Sequence, residues 1–434
     1  MNILLLGAGG REHALAWKFR KSPLCDQLFI APGNTGTAQC GTNLSFTVTD
    51  FEAIQQACME HHIDLLMIGP EEPLVKGLVD HLRAIPQLKD LLIIGPTKEA
   101  AQLEGSKAFA KTFMQRHGIP TAAYREFNAD NFTQGVTYLH EHALPIVLKA
   151  DGLAAGKGVI ICQNHVEAIS EFELMIQRSK FGEAGKRVVI EEFLSGIELS
   201  VFVLTDGKNY VVLPEAKDYK RVGKGDSGPN TGGMGAVSPV PFADHAFMDK
   251  VITRIVEPTV KGLQKDNLDY KGFIFIGLIK VGEDPYVIEY NCRMGDPETE
   301  VVMPRLQNDL VELLTATAKG NLQNSTIKHD KRHCATIVAV SGGYPNEHKK
   351  GLPIEGLTEF EQGEDTLVFH AGTKQAGDRI LTNGGRVFCV TSLANTLQDA
   401  VENSAMIMDV IDFEDKYFRP DIGYEFLDTT SNNN

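Results

Sequence analysis

The chain has no Cys-x-x-Cys pair, and its seven cysteines, Cys25, Cys40, Cys58, Cys162, Cys292, Cys334 and Cys389, are an odd number. This pattern excludes a paired-thiolate zinc site and a closed disulfide framework, and predicts reduced thiols in a cytoplasmic protein. Basic charge is scarce too, with a net charge of −15. A duplex-binding surface needs a basic footprint and is excluded, but a local basic pocket for phosphates is not. The apolar run at residues 3–6 follows no charged segment and is far too short for a signal peptide or a membrane span. The thirteen histidines are scattered. His61-His62 and His140-x-His142 lack the i, i+4 spacing that sets two metal ligands on one helix face. No nucleic acid and no membrane are therefore expected as partners, and no obligate protein partner is evident.

What is present begins with size. A chain of 434 residues exceeds one ordinary core, so two to four domains are expected. Hydrophobic residues at 43% and charged residues at 23% fit a soluble globular protein. Over the first hundred residues short apolar strands (2–6, 27–31, 64–68, 91–94) alternate with helices (12–20, 50–61, 74–83). That rhythm predicts a parallel sheet covered on both sides. Turns rich in Gly and Pro follow the strands, where ligands of such sheets bind.

The first turn is not a dinucleotide fingerprint. Gly7-x-Gly9-Gly10-Arg11-Glu12 has Glu where a third glycine belongs, and no acid ends the second strand. Gly9-Gly10-Arg11 at a helix start suits a single phosphate, through free N–H groups, the helix dipole and a guanidinium. Ser106 is expected to cap a helix over 106–117. Lys107 in its first turn opposes the dipole and hints at a nearby anion. A strand over 145–149 ends in Lys149, ahead of Asp151-Gly152-Leu153-Ala154-Ala155-Gly156-Lys157-Gly158. This is no Walker A loop, since the spacing is short and Gly158 replaces Ser or Thr. A buried ammonium without a partner costs several kcal/mol, so an anion is expected at Lys149, in preference to a protein carboxylate. The glycines of 228–235 predict a backbone-exposing loop open to phosphate or substrate. After about residue 320 strands resume, with one helix over 396–411 and a polar, frayed tail over 428–434.

The stretch Val287-Ile288-Glu289-Tyr290-Asn291-Cys292-Arg293 reads as a strand. Side chains alternate, so Glu289, Asn291 and Arg293 share one face, and Ile288, Tyr290 and Cys292 the other. A carboxylate, a carboxamide and a guanidinium in a row suit a divalent cation beside an anion. Gly295-Asp296-Pro297-Glu298 then leaves the strand with acids interleaved, as in a site.

Taken together these motifs resemble the ATP-grasp ligases, and within them the phosphoribosylamine–glycine ligase (glycinamide ribonucleotide synthetase) family. The matching segments are 7–15 (GAGGREHAL), 31–37 (APGNTGT), 69–77 (GPEEPLVKG), 102–107 (QLEGSK), 149–159 (KADGLAAGKGV), 228–236 (GPNTGGMGA), 289–298 and 370–374 (HAGTK). They span nearly the whole chain. The resemblance implies an α/β multidomain fold. Residues 1–103 would be an N-terminal parallel-sheet domain that binds substrate phosphate. Residues 104–320 would be ATP-grasp α+β domains, with a flexible ATP cover over about 121–192. Residues 321–434 would be a small C-terminal α+β domain.

It also implies roles. Lys107 and Lys149 would contact ATP phosphates, with Gly156, Lys157 and Gly158 in the cover. Glu191, Glu192 and Leu194 would hold adenine, and Glu198 the ribose. Glu289 and Asn291 would bind Mg²⁺ or Mn²⁺, and Arg293 would sit on the transferring phosphoryl group. Gly9, Gly10 and Arg11 would bind the substrate ribose phosphate. Asp218, Gly295 and Asp296 would lie near glycine or the amine, and Gly232 would contact substrate. Ala216-Lys217-Asp218-Tyr219 departs from the family's usual Ser-Gln-Asp-His but keeps Asp218, and Met294 replaces a common Phe. The implied reaction joins glycine to 5-phosphoribosylamine at the expense of ATP, through glycyl phosphate. Rival readings are another ATP-grasp carboxylate ligase, a nicotinamide-dependent oxidoreductase and a nucleotide-sensing module.

Overall fold

The computed structural model describes residues 1–153, 158–178, 180–357, 363 and 365–427. Gly156 and Lys157 of the glycine loop, and the tail over 428–434, lie outside the described residues. The first hundred residues form a parallel sheet in the order Thr42–Asn43, Gln27–Pro32, Asn2–Gly7, Leu65–Ile68, Leu92–Ile94. Its central strand is apolar throughout because both faces are covered. Leu4 and Leu6 join one core, and Ile3 and Leu5 another. From sequence one helix is expected over 74–83, but the chain makes two, Glu71–Lys76 and Leu78–Arg83. Gly77 between them takes a left-handed φ of +91°, which stops the first helix. Glu71 and Glu72 carry that helix forward, since acids suit its positive end.

Four antiparallel strands then form a small sheet in the order Tyr124–Asn128, Arg187–Glu192, Ile146–Ala150, Val159–Cys162. Helices Phe132–Glu141 and His165–Ile176 pack on it around Leu139, Phe172 and Ile190. A larger antiparallel sheet follows the order Tyr210–Val212, Ile197–Thr205, Gly272–Val281, Asp284–Asn291. Its Leu199, Val201 and Ile274 share a core with Leu66 and Ile68 of the first sheet, which fixes the two together. The register slips between Gly277 and Leu278, so Ile288 is an extra residue, a β-bulge.

The third large sheet runs Lys217–Asp218, Gly235–Ser238, His333–Val340, Arg386–Ala394, Thr366–His370. Helix Leu397–Val410, capped by Thr396, covers it. Two of its strands precede residue 320, so the sheet reaches back across the expected boundary. Part of the expected 228–235 loop is also strand. Ser227–Asn230 pairs with Arg221–Gly223 in an exposed two-stranded ribbon. Such a ribbon needs paired backbone but no packed side chains, so hydrophobic periodicity does not reveal it. No helix among the described residues is long and apolar enough to cross a membrane.

Candidate active site

A cavity of about 180 Å³ opens between the small sheet and the strand Asp284–Asn291. Of the expected residues Lys107, Lys149, Gly158, Glu191, Glu289, Asn291 and Arg293 line it. Lys107 opens the helix Lys107–Arg116, and Ser106 caps that helix by accepting from the Phe109 N–H (3.1 Å). Asp151, at the head of the glycine loop, accepts from the Ala108 N–H (2.8 Å) and the Ser106 hydroxyl (2.9 Å). The loop is therefore anchored to the start of the helix. Lys107 Nζ donates to the Gly152 carbonyl (3.1 Å). Burial lowers the Lys107 pKa, and Glu289 opposes that shift.

Lys149 corrects an expectation. Its ammonium lies 2.9 Å from Glu191 Oε2, so a protein carboxylate does partner it. Strand pairing is the cause. Val147 stands opposite Glu191 and Lys149 opposite Val189, which makes Glu191 and Lys149 diagonal neighbours on one face. Lys149 Nζ also donates to the Ile288 carbonyl (3.2 Å). The other Glu191 oxygen lies 3.1 Å from Lys111, a buried lysine one turn beyond Lys107 that sequence reasoning missed. The spacing of Lys107 and Lys111 on one helix face was the available signal.

The bulge corrects a second point. Ile288 lines the cavity with Glu289, Asn291 and Arg293, while Val287 and Cys292 enter the core and Tyr290 borders both. The extra residue shifts the alternation at Ile288 alone and leaves the three polar residues together. Among the described residues the Glu289 carboxylate makes no hydrogen bond or ion pair. Burial pushes its pKa up, but Lys220, Lys149, Lys107 and Arg293 outweigh burial and hold it below the usual carboxylate range. Asn291 Oδ1 takes one long bond, 3.4 Å, from Arg293. A free carboxylate and a nearly free carboxamide oxygen fit a hard divalent cation that completes its shell with phosphate oxygens and water. Among the described residues no three His, Cys, Asp or Glu cluster into a cage of their own.

Arg293 is held between Glu104 (2.9 Å) and Glu71 (3.3 Å), neither picked out from sequence. Burial pushes the Glu104 carboxyl up to about 7, with Arg293 pulling the other way. Glu198 pairs with Lys220 at 2.9 Å. Asp218 is raised by burial, against the opposing charge of Lys220. Glu192, next to Glu191, is exposed and accepts the Ala123 N–H (2.8 Å). Leu194 lies half-buried between strands Arg187–Glu192 and Ile197–Thr205.

A second cluster gathers Gly9, Gly10, Arg11, Gly232, Gly295 and Asp296. Here Glu12 changes the picture expected for the first turn. It accepts from the Gly9 N–H (2.7 Å) and from Arg11 Nε (2.6 Å), so those donors are already engaged. Glu12 fits in the place of the missing third glycine because Gly69 leaves room. A Cβ at Gly69 would overlap its carboxylate. The Arg11 N–H faces Asp296 Oδ2 at 3.5 Å, and Arg11 Nη1 donates to the Met294 carbonyl (3.2 Å). Arg386, which sequence reasoning did not pick out, joins the group. Its Nη1 lies 3.1 Å from Asp296 Oδ1 and donates to the carbonyls of Asp296 (2.7 Å) and Gly232 (2.8 Å). Among the described residues its Nε and Nη2 take no partner, which leaves one edge of the fork for an anion.

A larger cavity of about 560 Å³ lies elsewhere, between the first helix and the strand Thr366–His370. None of the expected site residues lines it.

Lysines from a helix start and a glycine-loop strand, facing a Glu-x-Asn-x-Arg strand, define an ATP-grasp enzyme. Models of phosphoribosylglycinamide synthetase match the chain in three parts: its N domain over residues 1–104, its ATP-grasp (A) domain over 105–299 and its C domain over 334–425. The phosphoribosylamine–glycine ligase of Escherichia coli O157:H7 is 46% identical over 437 residues, covering 100% of both chains. That of Vibrio cholerae serotype O1 is 47% identical, covering 98% of this chain and 99% of the relative. The crystal structure of phosphoribosylamine–glycine ligase from Thermotoga maritima superposes with a TM-score of 0.83 at 33% identity, covering 97% of this chain and 100% of that one. The chain belongs to the phosphoribosylglycinamide synthetase family.

Proposed function

We propose that this chain, as an ATP-dependent carbon–nitrogen ligase of purine biosynthesis, joins glycine to 5-phosphoribosylamine, giving glycinamide ribonucleotide, ADP and phosphate. A carboxylate is a poor acceptor for an amine because oxide is a poor leaving group. Phosphorylation solves this. A glycine carboxylate oxygen attacks the γ-phosphorus of ATP and ADP departs, leaving glycyl phosphate. The amine then attacks the acyl carbon, loses a proton, and phosphate leaves as the C–O bond breaks.

Phosphoryl transfer asks mainly for positioning and charge neutralisation. Lys107 and Lys149 neutralise the ATP phosphates, and Arg293 steadies the group in transit. Gly156, Lys157 and Gly158 belong to the cover that shields the acyl phosphate from water. Glu191, Glu192 and Leu194 serve the adenine, and Glu198 the ribose. Glu289 and Asn291 would hold Mg²⁺ or Mn²⁺, which supplies further neutralisation of the phosphates when bound. Gly9, Gly10 and Arg11, with Arg386 and Gly232, hold the ribose phosphate. Asp218, Gly295 and Asp296 flank glycine and the amine. The seven free cysteines suit a cytoplasmic enzyme acting on small molecules.

One observation carries this reading: Glu289, a carboxylate with no direct partner among the described residues, stands amid the charges of Lys220, Lys149, Lys107 and Arg293. The test is a coupled ADP assay with glycine and freshly made phosphoribosylamine. ADP release should require both. Equal release with another amino acid or another amine would overturn the assignment.

A further inference from the structure

Lys111 has no place in the roles above, yet its side chain is 2% exposed and charged. Among the described residues its ammonium makes an ion pair to Glu191 Oε1 (3.1 Å) and hydrogen bonds to Thr121 Oγ1 (2.7 Å) and the Ala122 carbonyl (3.3 Å), and lies 5.5 Å from the centre of the Tyr124 ring. These acceptors lie where the chain enters and leaves the small sheet. Residues 121–123 lead into the strand Tyr124–Asn128, and Glu191 stands at the end of Arg187–Glu192. Thr121 is itself fixed to the larger sheet, through its hydroxyl donating to the Val287 carbonyl (2.7 Å). Lys111 thus fastens both crossings of the small sheet from a helix outside it.

The charges matter as much as the contacts. A Lys149–Glu191 pair alone is neutral, and a neutral closed pair attracts an anion weakly. With Lys111 on the other Glu191 oxygen, two ammonium groups share one carboxylate, and the group keeps a net positive charge beside the cavity. Burial lowers the Lys111 pKa to about 8, with Glu191 opposing, so the lysine stays mostly protonated at neutral pH.

We propose that Lys111 is a positioning residue for ATP: it shares Glu191 with Lys149, leaving Lys149 free to engage phosphates, and pins the hinge of the ATP-covering sheet. This rests on the reading of the cavity as the ATP site. Lys111→Met would return Glu191 to Lys149 as a neutral pair and loosen the entry crossing. Lys111→Arg keeps the charge.

The experiment measures ATP binding by titration calorimetry, needing no turnover, together with KM for ATP and for glycine and the melting temperature. Lys111→Met should weaken ATP binding and raise KM for ATP at least tenfold, with KM for glycine within twofold of wild type. Lys111→Arg should recover most of that loss. Thr121→Val, which keeps the charge and removes the hydroxyl's bonds to Lys111 and to the Val287 carbonyl, should shift KM for ATP in the same direction by less. An unchanged ATP affinity in Lys111→Met overturns the proposal. So does a loss for ATP and glycine alike, tracking a fallen melting temperature and not rescued by Arg. If Lys111→Met does not fold, folded Lys111→Gln takes its place: a loss of ATP affinity supports the proposal, and an unchanged affinity overturns it. Wild-type protein that binds ATP but releases no ADP with glycine and phosphoribosylamine would instead refute the assigned reaction, a separate result.

Discussion

Arg386 Nη1 lies 3.1 Å from Asp296 Oδ1, and the same nitrogen donates to the Gly232 carbonyl. One guanidinium on the strand Arg386–Ala394 therefore ties the turn that leaves the Glu289 strand to the glycine turn before Gly235–Ser238. The residues assigned to glycine, to the amine and to the ribose phosphate meet at this arginine. Among the described residues its Nε and Nη2 take no partner.

Arg386→Lys is the sharpest probe of that arrangement. Lysine keeps the charge but not the planar fork. Losing a charge-assisted bond is worth about 1.5–3 kcal/mol, or roughly ten- to a hundredfold in affinity. KM for phosphoribosylamine should rise by that factor, while KM for ATP stays near wild type. Initial rates at fixed ATP and glycine decide this; an unchanged KM for the amine would remove Arg386 from the site.

Glu289→Ala and Lys149→Ala should each abolish measurable turnover without unfolding the protein. Both side chains lie at the cavity and neither anchors the core. Removing one preorganised charge from a transferring phosphoryl group costs about a hundred- to a thousandfold in rate. Steady-state kinetics beside circular dichroism and melting curves are the check. Wild-type-like activity in either variant would sink the site assignment.

The parallel sheet, the Ser106 cap of the Lys107 helix and the polar face of the Glu289 strand were all legible, because period and capping are local signals. What escaped depends on partners far along the chain. Lys149 meets Glu191 only through the antiparallel register of two strands, which no local pattern encodes. The bulge at Ile288 arises from its pairing with Gly272–Val281. Arg386 reaches Asp296 from ninety residues away. Glu12 looked like a missing glycine and is a cap that fills the same space. The rule that failed at each of these points was local, and all of them lie at the site or its floor.

Turnover should also depend on a divalent cation. EDTA should abolish it, and Mg²⁺ or Mn²⁺ should restore it. Asn291→Ala removes one of two protein oxygens, so the metal concentration for half-maximal rate should rise about tenfold or more. Full activity in EDTA would rule out the metal role of Glu289 and Asn291.

The last prediction concerns acid. The His370 backbone N–H donates to His13 Nδ1 (2.8 Å), and His370 Nδ1 contacts Thr373 Oγ1 (3.0 Å), so the first helix is clamped to the C-terminal sheet by neutral imidazoles. Burial lowers His370 to about 4, and burial with the neighbouring His370 lowers His13 as well. A folded pKa below the unfolded value of 6.5 means that the unfolded chain binds more protons between them. Stability from this source is therefore complete above about pH 6.5 and lost as pH falls toward 4, by about 3 kcal/mol for His370. Glu104 and Glu298, both raised to about 7 chiefly by burial, act in the opposite sense, stabilising as they protonate. Comparison with a variant separates the two, because the carboxyls are common to both proteins. In urea melts at pH 7 and pH 4.5, His370→Asn should lose much less stability on acidification than wild type does. Equal losses would mean that His370 takes up its proton in the folded chain as readily as in the unfolded one, and that the clamp does not sense acid.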